Sequence, residues 1–336
     1  MLHLSNNSQN YRHRLINTSL NTKRTTEEKK ICDLVQEELI TQCVGRFCLD
    51  IPTSMRRWGE AYKINNTLLQ EKVFVPPFEA AYERTWMAHL ATIEALKKNQ
   101  NYTDNRYGMI LEKRTLSPSL MSVFFYETLT RVVTLDALLN AGSLGLWLQV
   151  DGKPDRLDDM AERVKELAAA YCLPGKNRNL PISGKNCFYM NRGAIANTFG
   201  YKEEASASFK DHPLNIELSI STATTNELAP GLTDRFRQTM MNAIAWKVGG
   251  VSFLKNSTRK AAGLKGEEIL LRDSNGGKLT FLWSFPGEPY AKTHPEITVV
   301  MNTPDEHLNE KIGFWDTVIN SIKSVDALKE PSLSIP

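Results

Sequence analysis

The alternation of apolar and polar side chains near the end of the chain constrains the fold more than any other sequence feature. Within Lys278–Phe285, apolar residues occupy every second position, at Leu279, Phe281, Trp283 and Phe285. Polar side chains fall between them, at Lys278, Thr280 and Ser284. Successive side chains of a strand point to opposite faces, so the pattern predicts a strand with one face against a core and the other toward water.

The sequence on either side of this strand predicts two more. The run Ile269-Leu270-Leu271 precedes it, and the intervening DSNGG at residues 273–277 is typical of a turn. Gly and Asn tolerate positive φ there, while Asp and Ser side chains bond to nearby backbone. The segment PGEP at residues 286–289 ends the central strand, and alternation resumes at residues 297–301. We therefore predict a three-stranded antiparallel meander.

Three segments in this order, AGLKGEEILLR, FLWSFPGEP and PEITVVMNT, resemble the C-terminal domain of a bacterial family. Its members are immunity proteins that protect bacteria from type VI secretion phospholipase effectors. Over about residues 41–325, the resemblance implies a non-enzymatic inhibitor that binds a cognate phospholipase or lipase effector and blocks access of its substrate. It implies a protein partner, no cofactor and protection of the producing and sibling cells. A periplasmic location is also implied, because members usually carry an N-terminal export signal.

The whole sequence predicts an α+β protein of two domains, each a largely antiparallel sheet with packed helices. Apolar stripes at helical spacing predict four helices. The first starts at Pro76-Pro77 and runs to residues 97–99, the second is capped by Pro154 or Asp155 and ends at residues 172–175, and the others span 230–246 and 314–325. Further strands are expected at residues 44–51, 62–64, 68–75, 109–112, 122–126, 132–139, 144–150, 188–195, 204–209 and 214–219. A loop rich in Gly, Pro and Asn places the domain boundary near residue 178. We expect a flexible polar leader at residues 1–40, an N-terminal domain at 41–177 and a C-terminal domain at 178–330.

The composition disfavours two classes of partner. The net charge is +3 over 336 residues, with basic and acidic side chains interspersed, so no basic patch typical of nucleic-acid binding is evident. No run reaches the ~18 consecutive apolar residues of a membrane-spanning helix. The first thirty residues also lack the apolar centre of a secretory signal, which departs from the resembled family.

The cysteines allow two interpretations. Their positions are Cys32, Cys43, Cys48, Cys172 and Cys187, and the spacing is not that of a zinc site. They are either small buried apolar side chains or include one disulfide formed in an oxidising compartment. The segments CVGRFCLDIP and GKNCFYMNRGAI resemble cysteine-bearing segments of the immunity family, which implies a disulfide between Cys43 and Cys187. A Cys172–Cys187 pair, closing a short loop, is the alternative.

One segment resembles a catalytic motif. AGSLG at residues 141–145 is a relaxed form of the G-x-S-x-G nucleophile elbow, which needs a strand before the serine and a helix after it. The apolar run LGLWLQV follows and predicts a strand, so we expect Ser143 to lie in a hairpin turn and to be inert. His89 borders an apolar helical stripe and is expected to be a packing residue. We assign no catalytic, cofactor or metal residue and leave partner-binding residues unassigned. The alternative function is a small hydrolase or lipid-binding protein acting through Ser143 or an apolar groove.

Overall fold

The computed structural model describes residues 37–96, 108–127, 132–173, 187–196, 202–227, 230–231, 250–273, 277–291 and 293–325. From Glu38 onward these residues belong to one compact unit. The helix expected at residues 230–246 lies almost entirely outside the described residues, as does most of the leader expected at residues 1–40. Of the expected leader, residues 37–40 are described, and Leu39 and Ile40 begin the first strand.

One large antiparallel sheet dominates the fold. Its twelve strands within the described residues are β3 (Arg56–Ile64), β4 (Thr67–Val73), β5 (Ile110–Ser117), β6 (Leu120–Phe125), β7 (Val133–Asn140), β8 (Leu144–Gly152), β12 (Glu203–Lys210), β13 (Glu217–Ala223), β14 (Val251–Ala261), β15 (Leu264–Asp273), β16 (Lys278–Phe285) and β17 (Glu296–Pro304). Their order across the sheet is β14-β15-β16-β17-β13-β12-β3-β4-β8-β7-β6-β5.

Two small sheets and three helices complete the described part of the chain. One small sheet joins β1 (Leu39–Val44), β2 (Phe47–Pro52) and β18 (Lys323–Ser324), and the other joins β9 (Tyr171–Cys172), β10 (Phe188–Tyr189) and β11 (Ala194–Ile195). The helices are α1 (Phe78–Leu96), α2 (Leu157–Ala170) and α3 (Leu308–Ser321). A short 3-10 helix, Pro154–Arg156, leads into α2.

The predicted meander is confirmed by the pairing of β15, β16 and β17. The register places Phe281 beside Leu270 and Met301, so the apolar positions of the strands share one face. Gly266 is needed there, because a Cβ at this position would lie 2.6 Å from the indole of Trp283. Strand β14 extends the meander by a fourth strand that the sequence pattern did not reveal, since its side chains are mostly exposed and polar.

Helix α3 begins at Leu308, earlier than the start expected at residue 314, whereas α1 and α2 closely match the predicted ranges. Its buried stripe contains Phe314, Trp315, Val318 and Ile319, as the spacing indicated. In the first turns of α3 the buried position is held by Lys311, so the apolar stripe starts only at Phe314 in the sequence. The Asn65-Asn66 turn between β3 and β4 is confirmed, with both residues at positive φ.

The large sheet continues across residue 178, where a domain boundary was expected. Strand β12 pairs with β3 from Glu203↔Ile64 to Lys210↔Arg56, so strands from both sides of that residue are hydrogen-bonded neighbours. The α+β class is confirmed for the described residues, while the division into domains at 41–177 and 178–330 stays a prediction.

The register separates two faces of the large sheet. On the covered face, cross-strand partners such as Tyr62, Ala205, Ile220 and Val299 are buried. Helices α2 and α3 pack on this side, where Met160 contacts Gly152 and Trp315 packs against Phe281. Helix α1 packs on the other side, against Val123, Phe125 and Leu138 at one end of the sheet. The other face is thus covered by α1 at that end.

Candidate functional site

Ser143 lies in the turn between β7 and β8, as predicted. Ala141 N–H donates to the carbonyl of Leu144, and Gly142 adopts φ 82°, the left-handed geometry that such a turn requires. The residue after Ser143 enters strand β8 rather than a helix, so the segment does not have the geometry of a nucleophile elbow. Among the described residues, no hydrogen bond joins the Ser143 hydroxyl to a histidine or a carboxylate.

The disulfide expected between Cys43 and Cys187 is replaced by one between Cys43 and Cys48. The expected single strand at residues 44–51 is instead a hairpin, because Gly45 at φ 60° turns the chain and sets Cys43 opposite Cys48. Neither Cys43–Cys187 nor Cys172–Cys187 is bonded in the part of the chain that the structure describes. Cys187 nevertheless lies buried in the same apolar cluster as Cys48, with Cys43 and Cys172 packed against it.

The middle of the large sheet, on the face that none of the described helices covers there, is the candidate functional site, and we call it the open face. It consists of the side chains of β3, β12, β13 and β17 that alternate with the buried ones. Its central positions are Gly59, Ala61, Ser206, Ser208, Ser219, Ser221, Thr298 and Val300, which are cross-strand neighbours and at least partly exposed. Five of these eight side chains bear hydroxyl groups, which donate and accept hydrogen bonds. Their small size lets another surface approach the strands closely.

Two large side chains are exposed on the open face. Trp58 is 55% exposed and sits at an irregularity in the β3–β12 register. The ammonium group of Lys210 lies 5.0 Å from the centre of its ring, and Lys210 shares its face with Ser208, so Trp58 projects on the open side. Leu68 is 48% exposed and pairs with Lys63. Lys63 lies two residues after Ala61, so Lys63 and Leu68 are on the same face as Ala61. Exposed aromatic and aliphatic side chains of this kind are typical anchors of protein interfaces.

A cavity of about 470 Å³ lies beside the open face, between β3, β4, β7, β8 and α1. His89, which was predicted to be a packing residue, lies with its Nε2 2.8 Å from Oδ2 of buried Asp136. Its ring also packs against Trp147, with centroids 4.6 Å apart. His89 is thus a packed side chain that contacts Asp136 and borders this cavity.

A second, apolar groove of about 370 Å³ lies between β14–β16 and α3. Its apolar lining includes Leu254, Leu270, Phe281, Ile312 and Trp315. Glu268 at its edge accepts hydrogen bonds from Arg259 and from the Trp315 indole. Burial by itself raises the pKa of Glu268, but hydrogen bonds from Lys255, Trp315 and Arg259 outweigh it and hold the pKa below its ordinary value.

The described residues contain neither a metal-binding cluster nor a membrane-spanning helix. No group of three or more histidine, cysteine, aspartate or glutamate side chains in these ranges is placed to hold a metal ion. No helix within them is both long and apolar enough to cross a membrane.

The fold and the open face define an α+β protein with an exposed, hydroxyl-rich sheet surface suited to a protein partner. Residues 186–324 match the family model described as the Tle cognate immunity protein 4 C-terminal domain. This part of the chain is therefore similar to the C-terminal domain of that family. The resemblance to immunity proteins against type VI secretion lipase effectors, inferred from three segments of the meander region, is therefore confirmed.

Two solved structures have the same fold. The first is the apo structure of immunity protein TplEi of T6SS from Pseudomonas aeruginosa, with a TM-score of 0.69 at 20% sequence identity over 87% of this chain and 99% of that chain. The second is the crystal structure of the Tle4-Tli4 complex, with a TM-score of 0.68 at 20% identity over 86% of this chain and 98% of that chain. No curated protein sequence matches the chain.

Sequence reasoning left the binding residues unassigned because the open face is built from strands that are distant in the chain. The signal was present within each strand, as serines at alternating positions of residues 204–209 and 217–221. Their common surface emerges only once β3, β12, β13 and β17 are placed side by side.

Proposed function

We propose that this protein is a type VI secretion immunity protein that binds a cognate phospholipase or lipase effector and inhibits it, protecting the producing and sibling cells. The observation that carries the proposal is the match of residues 186–324 to the immunity family, in a chain whose described helices leave a hydroxyl-rich part of the sheet open. The fold it shares with the Tle4-Tli4 complex, in which an immunity protein is bound to its partner, supports the same function.

We assign the effector to the open face. The rows of Ser and Thr side chains provide hydrogen-bonding groups, and Trp58 and Leu68 provide apolar anchors at 55% and 48% exposure. Lys63, Lys210, Glu204 and Glu217 lie on the same face near the strand ends and give it charges of both signs. Such an arrangement suits a specific protein surface, because charges at the rim steer and align a partner while the centre excludes water.

Inhibition is proposed to act through the conformation of the effector. Lipases commonly cover their active sites with mobile lids, and a partner that binds only the closed form shifts the population toward it. Two domains, at residues 41–177 and 178–330, would hold such a region from both sides. Because β3 and β12 are paired across the boundary, this clasp is rigid and is best tested in the intact chain.

The proposed place of action is the periplasm. The family resemblance supports this location, and the Cys43–Cys48 disulfide suits an oxidising compartment. Fractionation of cells expressing the full-length gene product tests it. Recovery of the protein in the cytoplasm, with both cysteines reduced, contradicts the assignment.

The proposed function is tested with the purified effector encoded beside this protein. We expect a stoichiometric complex by size-exclusion chromatography and loss of effector lipase activity at equimolar protein. The protein alone should hydrolyse no ester substrate. A lipase that remains fully active at a large excess of this protein contradicts the proposal.

The apolar groove beside α3 favours a second candidate function, namely binding of a lipid chain. Its volume of about 370 Å³ and its Leu, Ile, Phe and Trp lining fit part of an acyl chain. Titration with a fluorescent fatty acid separates the two functions, because the inhibitor model predicts unchanged effector inhibition when the groove is filled by Leu270→Trp.

A further inference from the structure

We propose that the cavity beside the open face is a binding site for a guanidinium group, supplied by an arginine side chain of the bound partner. The identity of that partner depends on the proposed function, but the chemistry of the site does not. The cavity has a volume of about 470 Å³, and its walls combine a buried carboxylate, an indole ring and two carboxamides.

The cavity exists because two neighbouring strands separate. Strands β3 and β4 are paired at only three positions, Tyr62↔Leu69, Lys63↔Leu68 and Ile64↔Thr67. Beyond Leu69, β4 follows β8, whereas β3 on the N-terminal side of Tyr62 follows β12. The gap between the diverging strands is bordered by Glu60 and Gln70.

Asp136 provides a buried carboxylate with unused hydrogen-bonding capacity. Its side chain is 6% exposed, in the middle of β7, and its Oδ2 lies 2.8 Å from His89 Nε2. Its Oδ1 is buried and has no hydrogen-bond partner among the described residues. A buried charged oxygen without a partner is costly, so its retention at a cavity wall indicates that a ligand completes it.

The other walls suit a planar cation. The Trp147 ring forms a triangle with the rings of His89 and Trp86, whose centroids lie 4.6 Å and 6.0 Å from it and 6.0 Å from each other. A guanidinium group stacks on an indole face and donates in its own plane to carboxylate and carboxamide oxygens. Gln70 and Gln149 supply such oxygens, and Gln149 is the cross-strand neighbour of Asp136.

The charges around the cavity favour a cation over an anion. Glu60 borders the gap from β3, but its carboxylate lies on the covered face, where it accepts a hydrogen bond from the Tyr62 hydroxyl. Behind Asp136, burial and the carboxylates of Asp136 and Asp151 together raise the pKa of Glu127. Lys63, the cross-strand partner of Leu68, lies on the same face as the cavity, so the preference for a cation rests on Asp136 inside the cavity and on Glu127 behind it.

The test uses the full-length protein with ¹⁵N-labelled tryptophan, titrated with N-acetyl-arginine amide. The Trp147 indole signal, assigned by its loss in Trp147→Phe, should shift and saturate. The neutral analogue N-acetyl-citrulline amide should leave it in place, and N-acetyl-lysine amide should bind more weakly because it cannot stack as a plane. Equal binding of the citrulline analogue, or no saturable shift with the arginine probe, overturns the proposal.

Two variants locate the site. Asp136→Asn should weaken the arginine probe by about tenfold, and Gln70→Ala, at an exposed position paired with Trp147, should weaken it severalfold. The matched control is Asp159→Asn on α2, whose carboxylate is exposed and remote from the cavity, and it should bind as the wild type does. Unchanged binding in a folded Asp136→Asn variant refutes the site.

Effector binding is measured in parallel, so that the two proposals fail separately. If the wild type binds the effector but not the arginine probe, the cavity assignment is wrong and the immunity function stands. If the probe binds and the effector does not, the guanidinium site stands and the immunity function is wrong.

Discussion

Arg46 and Glu203 form a buried ion pair that ties the β1–β2 hairpin to the large sheet. The Nε of Arg46 donates to one carboxylate oxygen of Glu203 at 2.7 Å, and its Nη2 donates to the other at 2.9 Å. The two side chains are 8% and 5% exposed. Gly45, which precedes Arg46 in the chain, approaches β13 so closely that a Cβ on it would lie 2.8 Å from Thr222 Oγ1.

Breaking this pair should be strongly destabilising. Glu203→Ala leaves the Arg46 charge buried without its carboxylate, so we expect the free energy of unfolding to fall by about 3–5 kcal/mol. Urea denaturation followed by tryptophan fluorescence measures the change. The exposed pair Arg56–Asp211, at 67% and 47% exposure, is the matched control, and Asp211→Asn should cost less than about 1 kcal/mol. Equal losses in both variants contradict the assigned role of burial.

The disulfide should be found between Cys43 and Cys48. Mass spectrometry of the unreduced, proteolysed protein should recover this pair, with Cys172 and Cys187 open to alkylation after unfolding. Cys43→Ser should lower the free energy of unfolding by about 2 kcal/mol, because the bond closes a short loop with a sequence separation of 5. Recovery of a peptide that links Cys43 to Cys187 would contradict the assignment of the disulfide to Cys43 and Cys48.

Ser143→Ala should leave the protein almost unchanged. An exposed turn serine contributes only a few tenths of a kcal/mol to the free energy of unfolding, as is usual for surface changes. Effector inhibition should equal that of the wild type. If the wild type hydrolyses esters and this variant does not, the hydrolase alternative replaces the inhibitor model, since loss of a catalytic serine lowers activity by factors on the order of 10⁴ or more.

Glu268 should make the protein sensitive to acid. Its pKa is lowered in the folded state, so its stabilising contribution is present above the pKa of the unfolded chain and is lost as pH falls through the folded value. Glu268→Gln should therefore differ most from the wild type at neutral pH, and the two unfolding free energies should converge in acid. Glu217→Gln, at an exposed position of β13, is the control. A constant difference at every pH argues against a role for the Glu268 charge.

The parts of the fold that were predicted correctly depend on nearby residues. In Lys278–Phe285 the alternation itself determines which side chains face the core, and the Asn65-Asn66 segment carries its own turn chemistry. The β1–β2 hairpin was missed because residues 44–51 form a nearly continuous apolar run that hides the turn at Gly45.

The cavity at Asp136 could not be predicted from the sequence, for a different reason. Asp136 lies in a strand with six other buried side chains, so nothing in the sequence marks its carboxylate as a wall of a cavity. Its neighbours His89, Gln149 and Glu60 come from α1, β8 and β3, and they meet only after β3 and β4 diverge. Pairing of β3 with β12 is equally non-local, and it is what creates the open face.

Substitutions on the open face test the central claim most directly. We propose to measure effector affinity by calorimetry for the wild type, for Trp58→Ser and Leu68→Asp, and for Lys165→Ala on α2 as a control on the opposite side of the sheet. Trp58→Ser should weaken binding by at least about tenfold without changing the unfolding temperature, since removing an aromatic anchor typically costs about 2 kcal/mol or more. Leu68→Asp should act similarly, and Lys165→Ala should bind as the wild type does. Wild-type affinity in both open-face variants would contradict the assignment of the effector to this surface.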